Sequence, residues 1–186
     1  MKSIIVFASG AGSNFSSIMQ YAKTTDTFSI ALLVVNKEDA PVIQLAKEQA
    51  IPVLLLNKET FNSAEWIATL TTYQPSLIVL AGFLWKLPEH IVHAFPNKII
   101  NIHPALLPKY GGKGMYGNYV HAAVIKNKEP FSGITVHKVN SNYDEGEVLF
   151  QKAIKLDKNE SIISLAKRIN ALEMKYFPEV IARLVN

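Results

Sequence analysis

Apolar residues in this chain fall in short runs, and between the runs lie stretches where apolar and polar positions repeat at helical spacing. Ser3 to Ala8, Ser29 to Val35, Val53 to Leu56, Ser76 to Ala81 and Lys98 to His103 are brief, apolar and rich in β-branched residues, which predicts buried strands. Helices are predicted at Asn14 to Ala22, Pro41 to Ala50, Thr60 to Tyr73 and Pro88 to Ala94. Pro41 suits a first turn, and Phe61, Trp66 and Leu70 form the apolar stripe of the third helix.

The pattern changes after residue 104. Pro104 to Gly117 reads as a long Gly/Pro-rich loop, and Val120 to Lys126 as a helix. Gly133 to Val139 and Glu147 to Leu156 read as two further strands. A long helix is expected from Ser161 to the end, with Ile162, Leu165, Ile169, Leu172, Tyr176 and Val180 on one face and a kink at Pro178. Near-continuous apolar strands alternating with helices predict an α/β fold. The expected sheet is open, mostly parallel and Rossmann-like, with helices on both faces and an added C-terminal unit.

The chain has 186 residues, 49% hydrophobic and 18% charged, which is ordinary globular composition and points to a single domain over residues 1–186. No apolar run approaches the roughly 18 residues of a spanning helix. The N-terminus lacks a small-residue cleavage site, and there are no cysteines for a disulfide framework. The reading is a cytoplasmic protein with no membrane partner. The net charge of +4 is dispersed, with no block of like charge, so no nucleic-acid partner is expected, whereas small anionic substrates suit it. Nothing in the sequence chooses between a monomer and a homodimer.

Three segments carry candidate chemistry. Gly10-Ala11-Gly12-Ser13-Asn14 joins the first strand to the first helix, where exposed N–H groups and the helix dipole favour a phosphate, with Ser13 or Asn14 as cap. A dinucleotide is the rival, but Phe15 replaces the third glycine of that fingerprint and Asn36 stands where an acid is wanted. A plain turn is the third reading. In Asn101-Ile102-His103-Pro104, Asn101 and His103 share one side of the fifth strand at its carboxyl end, with Ile102 facing the core. An amide donor beside an imidazole suits attack on a carbonyl carbon. Asp144, in the turn Asn142 to Gly146, has a glycine two residues on, as in any tight Asx turn. His90 and His93 read as surface or boundary residues, His121 as part of a helix start and His137 as structural. With no Cys and no H-E-x-x-H, no metal site is expected.

Ser9 to Asn14, Leu80-Ala81-Gly82-Phe83, Asn101 to Pro108 (NIHPALLP) and Asp144-Glu145-Gly146 recur in this order in the folate-dependent formyltransferases. The chain resembles that family over essentially its whole length, and the early S-G-x-G-S-N string resembles its glycinamide ribonucleotide branch. The resemblance implies formyl transfer from 10-formyltetrahydrofolate, the co-substrate, to glycinamide ribonucleotide in purine biosynthesis. It implies that Gly12, Ser13 and Asn14 hold the phosphate and that Glu173 meets the ribose hydroxyls. Asn101, His103 and Asp144 would be catalytic, with Asp144 keeping His103 protonated. Leu84, Trp85, Lys86, Leu87 and the segment Asn140 to Asp144 would line the folate pocket. Two positions depart from the pattern: Ala64 and Trp85 stand where relatives often have Arg, and the loop 109–117 is longer. Two sister activities carry extra domains, a C-terminal one for tRNA and an N-terminal regulatory one. Neither is expected here, because the first strand begins at Ser3 and the chain ends at Asn186.

Overall fold

A computed structural model describes all residues, 1–186. Seven strands form one sheet: β1 Lys2–Ala8, β2 Phe28–Val35, β3 Val53–Leu55, β4 Leu77–Leu80, β5 Ile99–His103, β6 Phe131–Lys138 and β7 Val148–Lys155. The order is β3-β2-β1-β4-β5-β6-β7. The first five strands run parallel, β6 runs antiparallel to β5, and β7 runs antiparallel to β6. Seven helices connect and cover them: α1 Ser13–Thr25, α2 Val42–Glu48, α3 Lys58–Asn62, α4 Glu65–Thr72, α5 Glu89–Ala94, α6 Asn118–Lys126 and α7 Ile162–Val185. No helix is long and apolar enough to cross a membrane.

The period of two along each strand divides the apolar residues between two cores. Ile4, Val6, Leu33, Val35, Leu77, Val79, Ile100 and Ile102 face the larger core, which α1, α6 and α7 cover. Ile5, Phe7, Leu32, Val34, Ile78, Leu80 and Ile99 face the smaller one, closed by Phe61, Trp66, Leu70 and Ile91 from α3, α4 and α5. Burial on both faces is why these strands read as continuous apolar runs rather than alternating ones.

Two expectations need correction. The helix predicted over Thr60 to Tyr73 is two helices, broken at Ser63, whose backbone is extended at φ −78°, ψ 156°. Asn57 and Thr60 form a reciprocal cap that starts the chain turning early, and the Ser63 hydroxyl accepts from the Glu65 N–H (3.0 Å) to restart it. Trp66 Nε1 then donates back to the Phe61 carbonyl (3.2 Å), which ties the two pieces together. The second correction concerns the first helix. Neither Ser13 nor Asn14 caps it. Gly12 occupies the cap position at φ 82°, and its carbonyl accepts from the Ser16 N–H (2.8 Å), so Ser13 and Asn14 are already helical.

Gly12 is required there for two reasons. Its φ is left-handed, and an added Cβ would lie 2.6 Å from Val42 Cγ2. Gly12→Val therefore acts first on the fold, through the α1–α2 contact, rather than on a ligand. Gly12→Ala, whose Cβ still meets Val42, is expected to destabilise by about 2–5 kcal/mol, the cost of a left-handed non-glycine residue plus that of overpacking. Urea unfolding measures this, and an unchanged midpoint would show that the loop relaxes freely.

Candidate active site

Strand order makes the site. From β1 the chain proceeds outward to β2 and β3, then returns to β4 and builds in the other direction, so the connections leave β1 and β4 on opposite sides of the sheet. Open α/β sheets hold their ligands at such a switch point, beyond the carboxyl ends of the strands. Here the two loops are tied: the Leu84 N–H donates to the Ser9 hydroxyl (3.0 Å). A cavity of about 740 Å³ opens at this edge. Asn14 of α1 with Ala166, Ile169, Asn170 and Glu173 of α7 line it from the side of the larger core. Residues 82–87, 139–140 and 142–144 line it from the side of the smaller core, and Asn101 and His103 lie between.

The antiparallel register of β6 on β5 places Asn101 opposite His137. His137 Nδ1 lies 2.8 Å from the Lys138 carbonyl, which can only accept, so Nδ1 carries a proton. In the neutral ring Nε2 then accepts from Asn101 Nδ2 at 3.1 Å. One amide hydrogen of Asn101 is held by His137, and the other remains free for a ligand. His103 is tied in the same manner: Nε2 donates to the Tyr110 carbonyl (2.8 Å), and Nδ1 faces Asp144 Oδ2 at 3.6 Å. The loop that supplies Tyr110 is itself fastened to the sheet. The Leu107 N–H donates to Thr135 Oγ1 (3.0 Å), and Gln151 Nε2 donates to the Leu107 carbonyl (2.9 Å).

Asp144 sits at positive φ, 55°, in its turn. Its Oδ2 accepts from the Gly112 N–H (2.9 Å), and its Oδ1 lies 3.5 Å from His137 Nε2. Gly146 allows this placement, because a Cβ there would overlap the Lys138 carbonyl. Burial pushes the Asp144 carboxyl up. The neighbouring His137 ring, the charge of His103 and the Gly112 N–H outweigh that and hold it below the usual carboxylate range. His103 shifts the other way from the sequence expectation. Burial lowers its pKa more than Asp144 and the Tyr110 carbonyl raise it, and His137 lowers it further. Asp144 thus opposes a loss of the proton that burial favours, and does not by itself keep the ring charged.

Glu173 accepts from Asn14 Nδ2 (2.9 Å), and Asn170, one turn earlier on α7, donates to Ser13 Oγ (3.0 Å). Burial raises the Glu173 carboxyl to about 7, against the pull of Asn14. Leu84, Trp85, Lys86, Leu87 and Asn140 all line the cavity, but the Trp85 ring turns into the smaller core. There its centroid lies 5.0 Å from Phe61 and 6.3 Å from Phe83. Lys86 is left facing the opening with Nζ 5.3 Å from the Tyr143 ring and no acidic partner. Gly12 and Ser13 do not line the cavity; Ser13 reaches it only through Asn170.

His137, His121 and Asn170 also line the cavity, though the sequence had not marked them as functional. Asn170 sits three residues before Glu173, on the same helical face, and that spacing was the available signal. His90, against the Ser63 carbonyl, and exposed His93 lie at the surface as expected.

Comparison with known proteins adds names to this geometry. The formyl transferase family profile matches residues 2–181. The chloroplastic phosphoribosylglycinamide formyltransferase of Arabidopsis thaliana is 39% identical over 98% of this chain, which spans 65% of that relative's length. The phosphoribosylglycinamide formyltransferase of Bacillus subtilis is 38% identical over 100% of this chain and 95% of its own length. Among solved structures, glycinamide ribonucleotide transformylase 1 from Geobacillus kaustophilus superimposes with a TM-score of 0.91 at 32% identity, covering both chains fully.

Proposed function

The chain belongs to the formyl transferase family, and from that premise we propose that it transfers a formyl group from 10-formyltetrahydrofolate to the amino group of glycinamide ribonucleotide. The products are formylglycinamide ribonucleotide and tetrahydrofolate, and residues 1–186 act as one domain. The observation that carries this reading is the convergence of Asn101, His103 and Asp144 on one cavity, between a polar wall from α1 and α7 and an apolar wall from residues 82–87. Such a cavity suits two ligands meeting end to end, a sugar phosphate and a flat ring system.

In this reading the amine attacks the formyl carbon, and the oxygen gains negative charge. The free Asn101 N–H and the protonated Nδ1 of His103 both donate to that oxygen. As charge grows there, the imidazolium becomes easier to keep, which offsets the desolvation that lowers its pKa in the free protein. Asp144 beside it stabilises the cation and takes part in proton movement. Glu173 meets the ribose, and the start of α1 meets the phosphate, with Asn14 the member of the Gly12–Asn14 loop that lines the cavity. The apolar wall takes the pterin through the backbone groups of Leu84 to Leu87, with Asn140 at its edge. The test is tetrahydrofolate formation by purified protein given both substrates. Turnover without the ribonucleotide would indicate hydrolysis, and absence of turnover with both would overturn the proposal.

Folate recognition has a second part. Trp85 is committed to the core, so the cation on the 82–87 wall available to the glutamyl carboxylates of the folate is Lys86. Lys86→Met is expected to raise the folate KM about threefold, in keeping with an exposed charge contact of under about 1 kcal/mol, and to leave the ribonucleotide KM unchanged. Steady-state kinetics with each substrate varied decides this; an effect confined to the ribonucleotide would place Lys86 on the wrong ligand.

A further inference from the structure

Three imidazoles line the cavity, and their hydrogen bonding differs. His103 and His137 each have a ring nitrogen fixed on a backbone carbonyl, with the other on Asp144 or Asn101. His121, in the first turns of α6, is 5% exposed and makes no hydrogen bond; its Nδ1 is sealed from solvent with no partner. A buried imidazole without partners costs roughly 1–3 kcal/mol of desolvation. That cost is tolerated at a position whose partner arrives with the ligand, and Nε2 is the ring nitrogen that keeps access to the cavity.

We propose that His121 is the base that takes a proton from the substrate ammonium before it attacks. The inference rests on the formyl-transfer reading and names a group that reading leaves unassigned. A substrate α-amine has a pKa of about 8, so near pH 7 only about a tenth of it carries a free lone pair. The proton balance requires an acceptor. One proton leaves the ammonium for His121 Nε2 and passes to solvent. The freed lone pair forms the new C–N bond, and the carbonyl electrons move to the oxygen held by Asn101 and His103. As the bond to N10 of the folate breaks, a second proton leaves the tetrahedral nitrogen and ends on N10. The amide keeps the third hydrogen, and one proton is released overall.

The surroundings keep His121 ready to accept. Burial lowers its pKa, and His103 lowers it further, so the ring is neutral at pH 7. The other charged or titratable side chains around the cavity are Lys86, Lys113, Tyr116, His137, Tyr143, Asp144 and Glu173. The two carboxylates are engaged by His103 and His137 and by Asn14, respectively. His103 and His137 have their ring nitrogens committed. His121 is the neutral base with an uncommitted nitrogen.

The experiment compares the unaltered protein with His121→Gln and His121→Asn over pH 6 to 9, with both substrates present. Ribonucleotide binding and thermal unfolding are followed alongside, and the Asn variant carries the same measurement if the Gln variant does not fold. Expected is a loss of about 100-fold at pH 7, with ribonucleotide binding retained. The deficit should shrink about tenfold by pH 9, where the amine is already neutral. Unchanged turnover, or a deficit constant across pH, would overturn the assignment while leaving the formyl-transfer reading intact. No turnover by the unaltered protein would overturn both.

Discussion

Replacing His103 by alanine is expected to lower turnover by roughly 100- to 10,000-fold, the range for a positioned acid or base, and Asp144→Asn is expected to fall in the same range. Ligand affinities should change less than turnover, because His103 and Asp144 make up only a small part of the cavity lining. The two losses should not multiply, since His103 Nδ1 and Asp144 Oδ2 face each other at 3.6 Å and act on one proton. The pH dependence follows from the shifts. The oxygen-stabilising form is the imidazolium, so activity falls as pH rises through the His103 pKa. Burial already lowers that pKa, and the Asp144 carboxylate is the largest influence raising it. Asp144→Asn removes that influence, so the fall should move to lower pH. NMR titration of the His103 ring in both backgrounds, beside the pH profile of turnover, tests the coupling. Identical titrations with multiplying losses would make Asp144 an independent proton carrier.

Glu173→Gln is expected to stabilise the ligand-free protein and to weaken ribonucleotide binding, and the two effects have one cause. Desolvation raises the Glu173 carboxyl to about 7, whereas the unfolded chain ionises near the ordinary value of about 4.3. Between those values the folded state holds a proton that the unfolded state has lost. Stability from this group is therefore full below about pH 4, falls as pH rises and reaches its minimum above about pH 7. The difference amounts to at most about 4 kcal/mol, reduced by the partial exposure of the side chain. Gln cannot ionise, so the variant should unfold at higher urea than the unaltered protein at pH 8 and match it near pH 4. The ribose hydroxyls donate best to a carboxylate, so ribonucleotide affinity should rise through pH 7 in the unaltered protein and stay flat and lower in the variant. Equal stability of the two proteins at pH 8 would show that the carboxylate is better solvated than this geometry implies.

Gly146 and Asn170 show where sequence reading reached and where it stopped. The D-x-G spacing after β6 pointed to a tight turn, and the structure supplies the reason: a side chain at residue 146 would collide with the backbone that holds His137. Asn170 was passed over because its role appears only when α7 lies against α1, and 157 residues separate it from the hydroxyl it meets. The break at Ser63 was missed for the opposite reason. It is a local capping event inside a stretch whose apolar spacing suits one helix, and local side-chain hydrogen bonds outweigh periodicity there.

By itself the sequence determined the alternation of buried strands and helices, because burial on both faces leaves an unbroken apolar run that needs no partner to be read. It likewise determined that Asn101 and His103 share a side at the end of a strand, since a period of two is a property of the strand alone. Tertiary structure decided the rest. The pairing of β6 against β5 brought His137 to Asn101, and the return of the loop 104–117 brought Tyr110 and Gly112 to His103 and Asp144. It also decided the protonation of the site. Whether a carboxylate or a desolvated surrounding controls an imidazole depends on how much water remains around the ring. Only the packed structure sets that amount, and here desolvation prevails at His103.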